Sequence, residues 1–516
     1  MSSVGVDRVC VIIGRTRHRM VQIELEEAVK RGAKFLELRL DFFAKAVDFK
    51  RLLPHKSCPW VATLRRHADG GRYKGPEEER KMLIRQAVVS GFDWVDLETD
   101  IADEIKRFRD VTRIVSYHNF SETPDDLESI YAAMCQQDAD VLKVVTMAQH
   151  PKDCLRVLNI IKNAKRPTIG HCMGEIGLPS RILSLKYGAP FIYAAFNKER
   201  GIAPGLPSYD EVKKFFHVHA IDADTKVYGV LGDPVAHSYS PVLHNLMFRQ
   251  TETNAVYLPF RVPRGELVET LQAFDAIPVS GYSVTIPHKE AAAAFAKASD
   301  DRVQETSAAN TLVRRPEGGF FAANTDYEAA LDGLKQNMPV DEDGKKRDLH
   351  ECGALILGSG GVARAVAHAL HRAHVVPLWI AGRSPDKVEK LAAEVNGKAT
   401  DWAARNSVDA AILVNCTPVG MHPNLDDSPI HPSSLKPGMV VFDTVYNPEQ
   451  TMLIKDARNR GCQVVTGVEM FVRQAALQFD LFTGKKPDLE AMREILRRSL
   501  SPLTFKEDDD AEGRDE

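Results

Sequence analysis

Eight apolar, strand-like runs, spaced roughly 20 to 30 residues apart and separated by amphipathic segments, constrain the fold of this chain more than any other feature. They are Val9 to Gly14, Phe35 to Leu40, Trp60 to Leu64, Trp94 to Thr99, Ile114 to Phe120, Val141 to Thr146, Thr168 to Cys172 and Phe191 to Phe196. Eight βα units in this span predict a closed parallel (βα)8 TIM barrel, with its chemistry at the carboxyl ends of the strands. The alternation resumes after a polar stretch from His217 to Lys226, so the whole chain reads as α/β.

At 516 residues the chain exceeds what one hydrophobic core supports, and two or three domains are expected. A hydrophobic content of 44% with 27% charge is that of a globular enzyme. The net charge of -4 predicts no general affinity for nucleic acid or for an anionic membrane. No apolar run reaches the ~20 residues needed to span a bilayer. The first run begins almost at once, which leaves no room for a targeting peptide, so the expected location is cytoplasmic, or plastid only for a mature form. Eight scattered cysteines make neither a metal set nor a disulfide framework, and no metal is expected.

Strands of a parallel sheet are normally near-continuous hydrophobic segments, so their polar residues carry the information. Glu37, Arg39 and Asp41 lie two apart in F-L-E-L-R-L-D, as do Asp96 and Glu98 in W-V-D-L-E-T, and within each strand they share one face. Arg65, His118 and Lys143 lie late in three further strands. Ion pairs that merely plug a barrel would explain some of them. A lysine within an apolar strand is costly to bury charged, and desolvation beside other cations turns it into a nucleophile toward carbonyls. That points to a Schiff base on Lys143, with His118 moving protons and Glu98 orienting the imidazole.

The segments E-L-R-L-D, V-D-L-E, S-Y-H-N-F, A-D-V-L-K-V-V, M-G-E-I-G-L-P-S-R and the A-P-G at Ala203 to Gly205 resemble those of the type I 3-dehydroquinate dehydratases. The resemblance implies that Lys143 forms an imine with 3-dehydroquinate, His118 is general acid and base, and Glu98 its partner. It assigns Glu37, Arg39 and Arg65 to substrate hydroxyls or to one another, and Arg181 to the substrate carboxylate. The lid departs from the family pattern: Ile202 and Leu206 flank A-P-G where hydrogen-bonding residues are usual. Their loss should weaken substrate binding or slow turnover without removing the imine chemistry.

Tyr228 to Asn245, Y-G-V-L-G-D-P-V-A-H-S-Y-S-P-V-L-H-N, marks the junction with the second half. Ser238 and Ser240 stand before Pro241, which suits the first turn of a helix, and hydroxyls with free N–H groups at a helix start suit a carboxylate. Simple N-capping by one serine is the alternative. Further on come Thr285 and Lys289 after a strand, Asn310 in A-N-T-L and Asp326 in N-T-D. Lysine and aspartate facing across one cleft would form a proton-transfer dyad.

The strand C-G-A-L-I-L-G then runs into Gly358-Ser359-Gly360-Gly361-Val362-Ala363, which opens a helix. This is a dinucleotide fingerprint in its strand-turn-helix setting, and it predicts a Rossmann domain. At the end of the next strand an acidic residue would select NAD; Arg383, Ser384 and Lys387 favour the 2'-phosphate of NADP(H) instead.

Together with N-C-T-P-V-G-M, V-Y-N-P-E-Q-T and G-V-E-M-F-V-R-Q-A, these segments resemble the shikimate dehydrogenases. That resemblance implies Lys289 and Asp326 as the catalytic pair, with Ser238, Ser240, Thr285, Asn310, Tyr446 and Gln474 around the substrate. Asn415, Thr417 and Gly467 to Met470 would line the nicotinamide end. Ser283 and Ala330 stand where many members have other residues, which leaves the dyad intact. The expected domains are a barrel over residues 1–222, a substrate domain over 223–337 joined by helices in 470–500, and a Rossmann domain over 338–469. An acidic, disordered tail is expected at 504–516. The two resemblances are consecutive steps of one pathway, so the expected partners are small molecules, 3-dehydroquinate and 3-dehydroshikimate. A quinate-preferring second half and a silent sensor built from the same domains are the alternatives.

Overall fold

The computed structural model describes residues 5–500 apart from 201, 237 and 341–343. The acidic tail expected at 504–516 lies outside the described residues. Compactness divides the chain after His288 into two units.

The first unit opens with eight parallel strands: β1 (Val9–Ile13), β2 (Leu36–Arg39), β3 (Trp60–Thr63), β4 (Trp94–Glu98), β5 (Thr112–His118), β6 (Val141–Met147), β7 (Thr168–Met173) and β8 (Ile192–Ala195). Their order, β7-β6-β5-β4-β3-β2-β1-β8, brings the last strand beside the first and gives a near-closed barrel. Every expected strand is present, with ends that differ by a residue or two.

The period of two sorts the lumen into layers. Phe35, Val61, Trp94, Ile114, Val141, Ile169 and Phe191, from the amino ends of successive strands, form one buried apolar cluster with Cys10, Ile12 and Tyr193. Phe191 meets Phe35 and Trp94 edge-on, with centroids 4.9 Å and 5.9 Å apart. Two residues further along the strands the same face carries Glu37, Thr63, Asp96, Ser116, Lys143 and His171, all buried. The apolar floor therefore excludes water from one side of a polar layer at the strands' carboxyl ends.

The connection after the barrel is tied down. Arg8 at the base of β1 donates from Nη1 to the carbonyls of Val218 and His219, both at 3.4 Å, and also to that of Ile221, and Asp7 pairs with His219 at 2.9 Å. The unit continues with β9 (Lys226–Gly232), β10 (Ala255–Arg261) and β11 (Val279–Val284), parallel in the order β10-β9-β11. Helix Ser240–Gln250 links the first two, with Pro241 in its first turn.

The second unit begins with β12 (Ala298–Ser299), β13 (Thr311–Arg314) and β14 (Phe320–Ala323), in which β14 pairs antiparallel with β13 and parallel with β12. A parallel sheet follows: β15 (Ala354–Leu357), β16 (Leu378–Gly382), β17 (Lys398–Asp401), β18 (Ile412–Asn415), β19 (Val440–Asp443) and β20 (Gln463–Val465). Its order, β17-β16-β15-β18-β19-β20, reverses direction between β15 and β18. Such a switch point opens a crevice at the strands' carboxyl edge, where ligands of open α/β sheets bind. Helix Gly467–Thr483 packs along helix Thr325–Gln336, and Gln478 donates to the Asn310 carbonyl at 3.0 Å. Among the described residues no helix is long and apolar enough to cross a membrane.

Candidate active sites

In the barrel, Lys143 on β6 is buried, with Nζ donating to Asp96 Oδ2 at 2.9 Å and standing 4.0 Å from the centre of the Tyr193 ring. The sequence placed it among cations; the fold adds a counter-ion, because β4 and β6 flank β5 and send their alternate residues into one lumen. Burial opposes the charged form of Asp96, yet Arg65 and Lys143 outweigh it and hold the carboxyl well below the usual carboxylate range.

Arg65 organises this layer. Its Nη2 donates to Asp96 at 2.7 Å, and its Nη1 reaches Glu98 at 3.2 Å, Ser116 at 3.3 Å and His118 Nδ1 at 3.2 Å. A guanidinium can only donate, so Nδ1 accepts and the neutral ring carries its proton on Nε2. Burial, then the charges of Arg65 and Lys143, push the His118 imidazole well below its usual range.

The expected link from Glu98 to His118 takes a different form. Glu98 accepts from Arg65 and, at 2.8 Å, from Arg80, and among the described residues no hydrogen bond joins it to His118. Arg65 stands between them. Glu37 accepts from Thr63 at 2.6 Å, and Arg39 makes a two-pronged pair with Asp41 at 2.9 Å and 2.8 Å.

Arg181, in the helix after β7, is 1% exposed. Its Nη1 donates to His171 Nε2 at 2.8 Å, while among the described residues Nε and Nη2 have no partner. Burial pulls this guanidinium down to about 9. Two buried, unanswered donors on one cation cost several kcal/mol by order of magnitude, so the geometry is that of a receptor for an anion. Arg181, Lys143, His118, Arg39, Ile202 and Leu206 line one pocket. Ile202 and Leu206 pack on the apolar cluster of the lumen.

Sequence reasoning missed Arg80, His171 and the pairing role of Asp96. His171 was findable, since it occupies the position on β7 that Lys143 occupies on β6, two residues beyond an apolar lumen residue. Arg80 comes from helix Glu77–Ser90, and no strand period points to it.

In the second half, Ser238 accepts from the Ser240 backbone N–H at 3.3 Å, and Ser240 is buried at the helix start. Thr285 directly follows β11, and Tyr257 donates to Ser283 at 2.6 Å. Within the unit after His288, Lys289 Nζ lies 2.5 Å from Asp326 Oδ2. Lys289 opens one helix and Asp326 is the second residue of another. Asn310 anchors the latter by accepting from Thr325 N at 2.9 Å and donating to its hydroxyl at 2.9 Å. A Cβ at Gly361 would meet the Lys289 stem at 3.4 Å, so the glycine loop runs against the dyad.

That loop fits a dinucleotide. Gly358 has a φ of +116° and closes the turn, where a Cβ would stand 2.9 Å from the Cys416 carbonyl oxygen. A Cβ at Gly360 would meet nothing within 4 Å, and no cap side chain from Gly360 occupies the N–H groups at the start of helix Gly361–Arg372. Ser359 lies in the loop, and Val362 packs its side chain on the core beneath. Arg383, Ser384 and Lys387 lie just beyond β16, where a 2'-phosphate would project.

Across the crevice, Asn415 is fully buried and accepts from Thr417 N at 3.0 Å and from its hydroxyl at 2.6 Å while donating to Asp443 at 2.9 Å. It shapes the loop that presents Thr417. Thr451 also donates to Asp443 at 2.6 Å, yet burial pushes that carboxyl up to about 6. Gly467 is required by a close approach, since a Cβ would fall 2.3 Å from the Val445 carbonyl group. Met470 is buried in the core. The Tyr446 ring rests on Phe471 at 4.8 Å, and Gln474 donates to the Phe471 carbonyl at 3.1 Å.

Family profiles match both halves. Type I 3-dehydroquinase covers residues 9–223, the shikimate dehydrogenase substrate binding domain 230–312, shikimate / quinate 5-dehydrogenase 342–415, and the shikimate 5'-dehydrogenase C-terminal domain 467–497. The chloroplastic bifunctional 3-dehydroquinate dehydratase/shikimate dehydrogenase of Arabidopsis thaliana is 36% identical over 92% of this chain and 82% of its own length. The NADP(+) shikimate dehydrogenase of Methanopyrus kandleri is 37% identical over 54% of this chain and 98% of its own. The solved shikimate 5-dehydrogenase of Thermus thermophilus with NADP(H) and shikimate shares 33% identity over 53% of this chain and 99% of its own, at a TM-score of 0.48.

Proposed function

The chain belongs to the family of bifunctional 3-dehydroquinate dehydratase/shikimate dehydrogenases, and from that premise we propose how its own residues divide the two reactions. It is a lyase and an NADP-dependent oxidoreductase of the shikimate pathway. It dehydrates 3-dehydroquinate and reduces the product to shikimate. One observation carries the residue assignment for the first reaction: a buried, ion-paired Lys143 shares a pocket with an Arg181 whose Nε and Nη2 are unanswered.

Arg181 receives the substrate carboxylate, which satisfies its two idle donors and orients the ring. Asp96 aims the Lys143 side chain. Once its ammonium proton leaves, the amine attacks the ketone carbon; loss of water gives an imine, whose positive nitrogen draws electrons from the adjacent C–H bond. His118, held neutral, is the base in the same pocket. Its lone pair must first leave Arg65. The proton it collects serves the departing hydroxyl, and hydrolysis of the imine frees Lys143.

For the second reaction, Ser238 and Ser240 bind the substrate carboxylate, with Thr285, Asn310, Tyr446 and Gln474 around the ring. The cofactor is NADP(H). Gly358 to Val362 would hold its pyrophosphate, Arg383, Ser384 and Lys387 its 2'-phosphate, and Thr417 and Gly467 to Met470 its other end. When bound, it supplies the hydride. Lys289, paired with Asp326, holds a proton at Nζ for the oxygen of the ketone being reduced, and Asp326 keeps that side chain pointed into the cleft. Residues 1–222 would then serve the first reaction, 223–337 with 470–500 the second, and 338–469 the cofactor.

Borohydride with 3-dehydroquinate should add one substrate-derived adduct at Lys143, seen as a mass increase on its peptide. Absence of that adduct in an active preparation would refute the imine assignment.

A further inference from the structure

Arg261 ends β10 and is not among the residues assigned above to either reaction. Its Nε donates to Asp233 Oδ1 at 2.9 Å and its Nη1 to Glu175 Oε2 at 3.0 Å. These two carboxylates belong to loops of different sites.

Glu175 follows β7 in the turn that leads to the helix of Arg181. The same turn touches the segment over the barrel pocket: Gly174 N donates to the Pro204 carbonyl at 3.2 Å, and a Cβ at Gly205 would lie 2.4 Å from the Gly174 oxygen. Asp233 follows β9 and begins the loop that carries Ser238 and Ser240. Arg261 has a firm base for reaching both, since it pairs with Gly232 in the β9–β10 register and Val262 N donates to the Gly232 carbonyl at 3.1 Å. Two further ion pairs span the same seam, His150 with Glu266 at 3.2 Å and Lys152 with Glu269 at 3.3 Å.

We propose that Arg261 is a positioning residue shared by the two sites, coupling the Arg181-bearing loop of the barrel to the serine-bearing loop of the second half. The planar guanidinium fixes two donor directions at once, which a lysine cannot do. All three side chains are partly exposed, so the coupling is modest and sensitive to salt. Coupling through a shared group is reciprocal: whatever the barrel loop does to the serine loop, the serine loop does to the barrel loop. The inference rests on the two-activity reading, with the loop after β9 binding the second substrate.

The test is made on the full chain, beginning with both wild-type activities. If either is missing, the two-activity reading fails, and that failure is separate from any result on the coupling itself. With both present, Glu175→Gln should raise the KM for 3-dehydroshikimate in the NADPH-dependent step about two- to fivefold, the span that partly exposed ion pairs support. Its kcat and melting temperature should hardly move. Asp233→Asn should raise the KM for 3-dehydroquinate in the first step by a similar factor. Arg261→Met should show both effects and Arg261→Lys should recover part of each, and high salt should bring the wild type toward Arg261→Met. A distant KM that stays unchanged in either carboxylate variant overturns the proposal, as does full recovery by lysine.

Discussion

Lys143 and His118 show how one residue's chemistry depends on the charge of its neighbours. Burial and the two cations beside His118 hold it neutral, so its proton affinity in the folded protein is below that in the unfolded chain. The unfolded state therefore binds this proton first as pH falls, and the stability due to the neutral ring is lost on the acid side of about pH 6.5. With the neutral ring as the proposed base, dehydratase kcat/KM should stay level from neutral pH through about 6.5 and fall only below it. A pH–rate profile whose acid limb lies at or above that value would contradict this. Leu206 tests a different contact. It packs over the lumen beside Arg181, and replacing it with glutamine adds an N–H donor and a carbonyl acceptor near the unanswered guanidinium at the cost of some apolar packing. Leu206→Gln should lower the KM for 3-dehydroquinate, and steady-state kinetics showing an equal or higher value would refute it.

At the scale of elements, strand period and turn geometry place the functional groups. The period of two was legible because β-strands alternate faces whatever their neighbours, so Glu37, Asp96, Lys143 and His118 could be assigned to the lumen from the sequence. Which of them pair was not legible, since pairing depends on the order of strands around the barrel and on Arg80 arriving from a helix. The turn at Gly358 is equally local. Its left-handed backbone and the Cys416 oxygen at 2.9 Å leave no place for a Cβ. Gly358→Ala should cost about 1 to 3 kcal/mol of local strain and raise the KM for NADPH about fivefold or more, while dehydratase activity is unchanged. A normal KM for NADPH in this variant would show that the loop does not cradle the cofactor.

At the scale of the whole molecule, the proposed assignment gives each reaction its own lysine, and the two should separate cleanly. Lys143→Met should reduce dehydratase activity by about three orders of magnitude or more while dehydrogenase activity persists, and Lys289→Met should do the reverse. Loss of both activities in either variant, with melting temperature unchanged, would mean that the sites are not chemically independent. The sequence alone determined the barrel, the nucleotide fold and the choice of phosphate-bearing cofactor, and it supplied the two lysines proposed for the chemistry. Those features follow from strand period, a glycine turn and the charge of one strand end, all local along the chain. The tertiary structure decided the pairing of Lys143 with Asp96, the two unanswered donors of Arg181, the interposition of Arg65 between Glu98 and His118, and the reach of Arg261 from Asp233 to Glu175. These contacts join residues far apart in the chain, and only folding brings their charges within a few ångströms, where desolvation and Coulomb attraction become strong enough to choose partners.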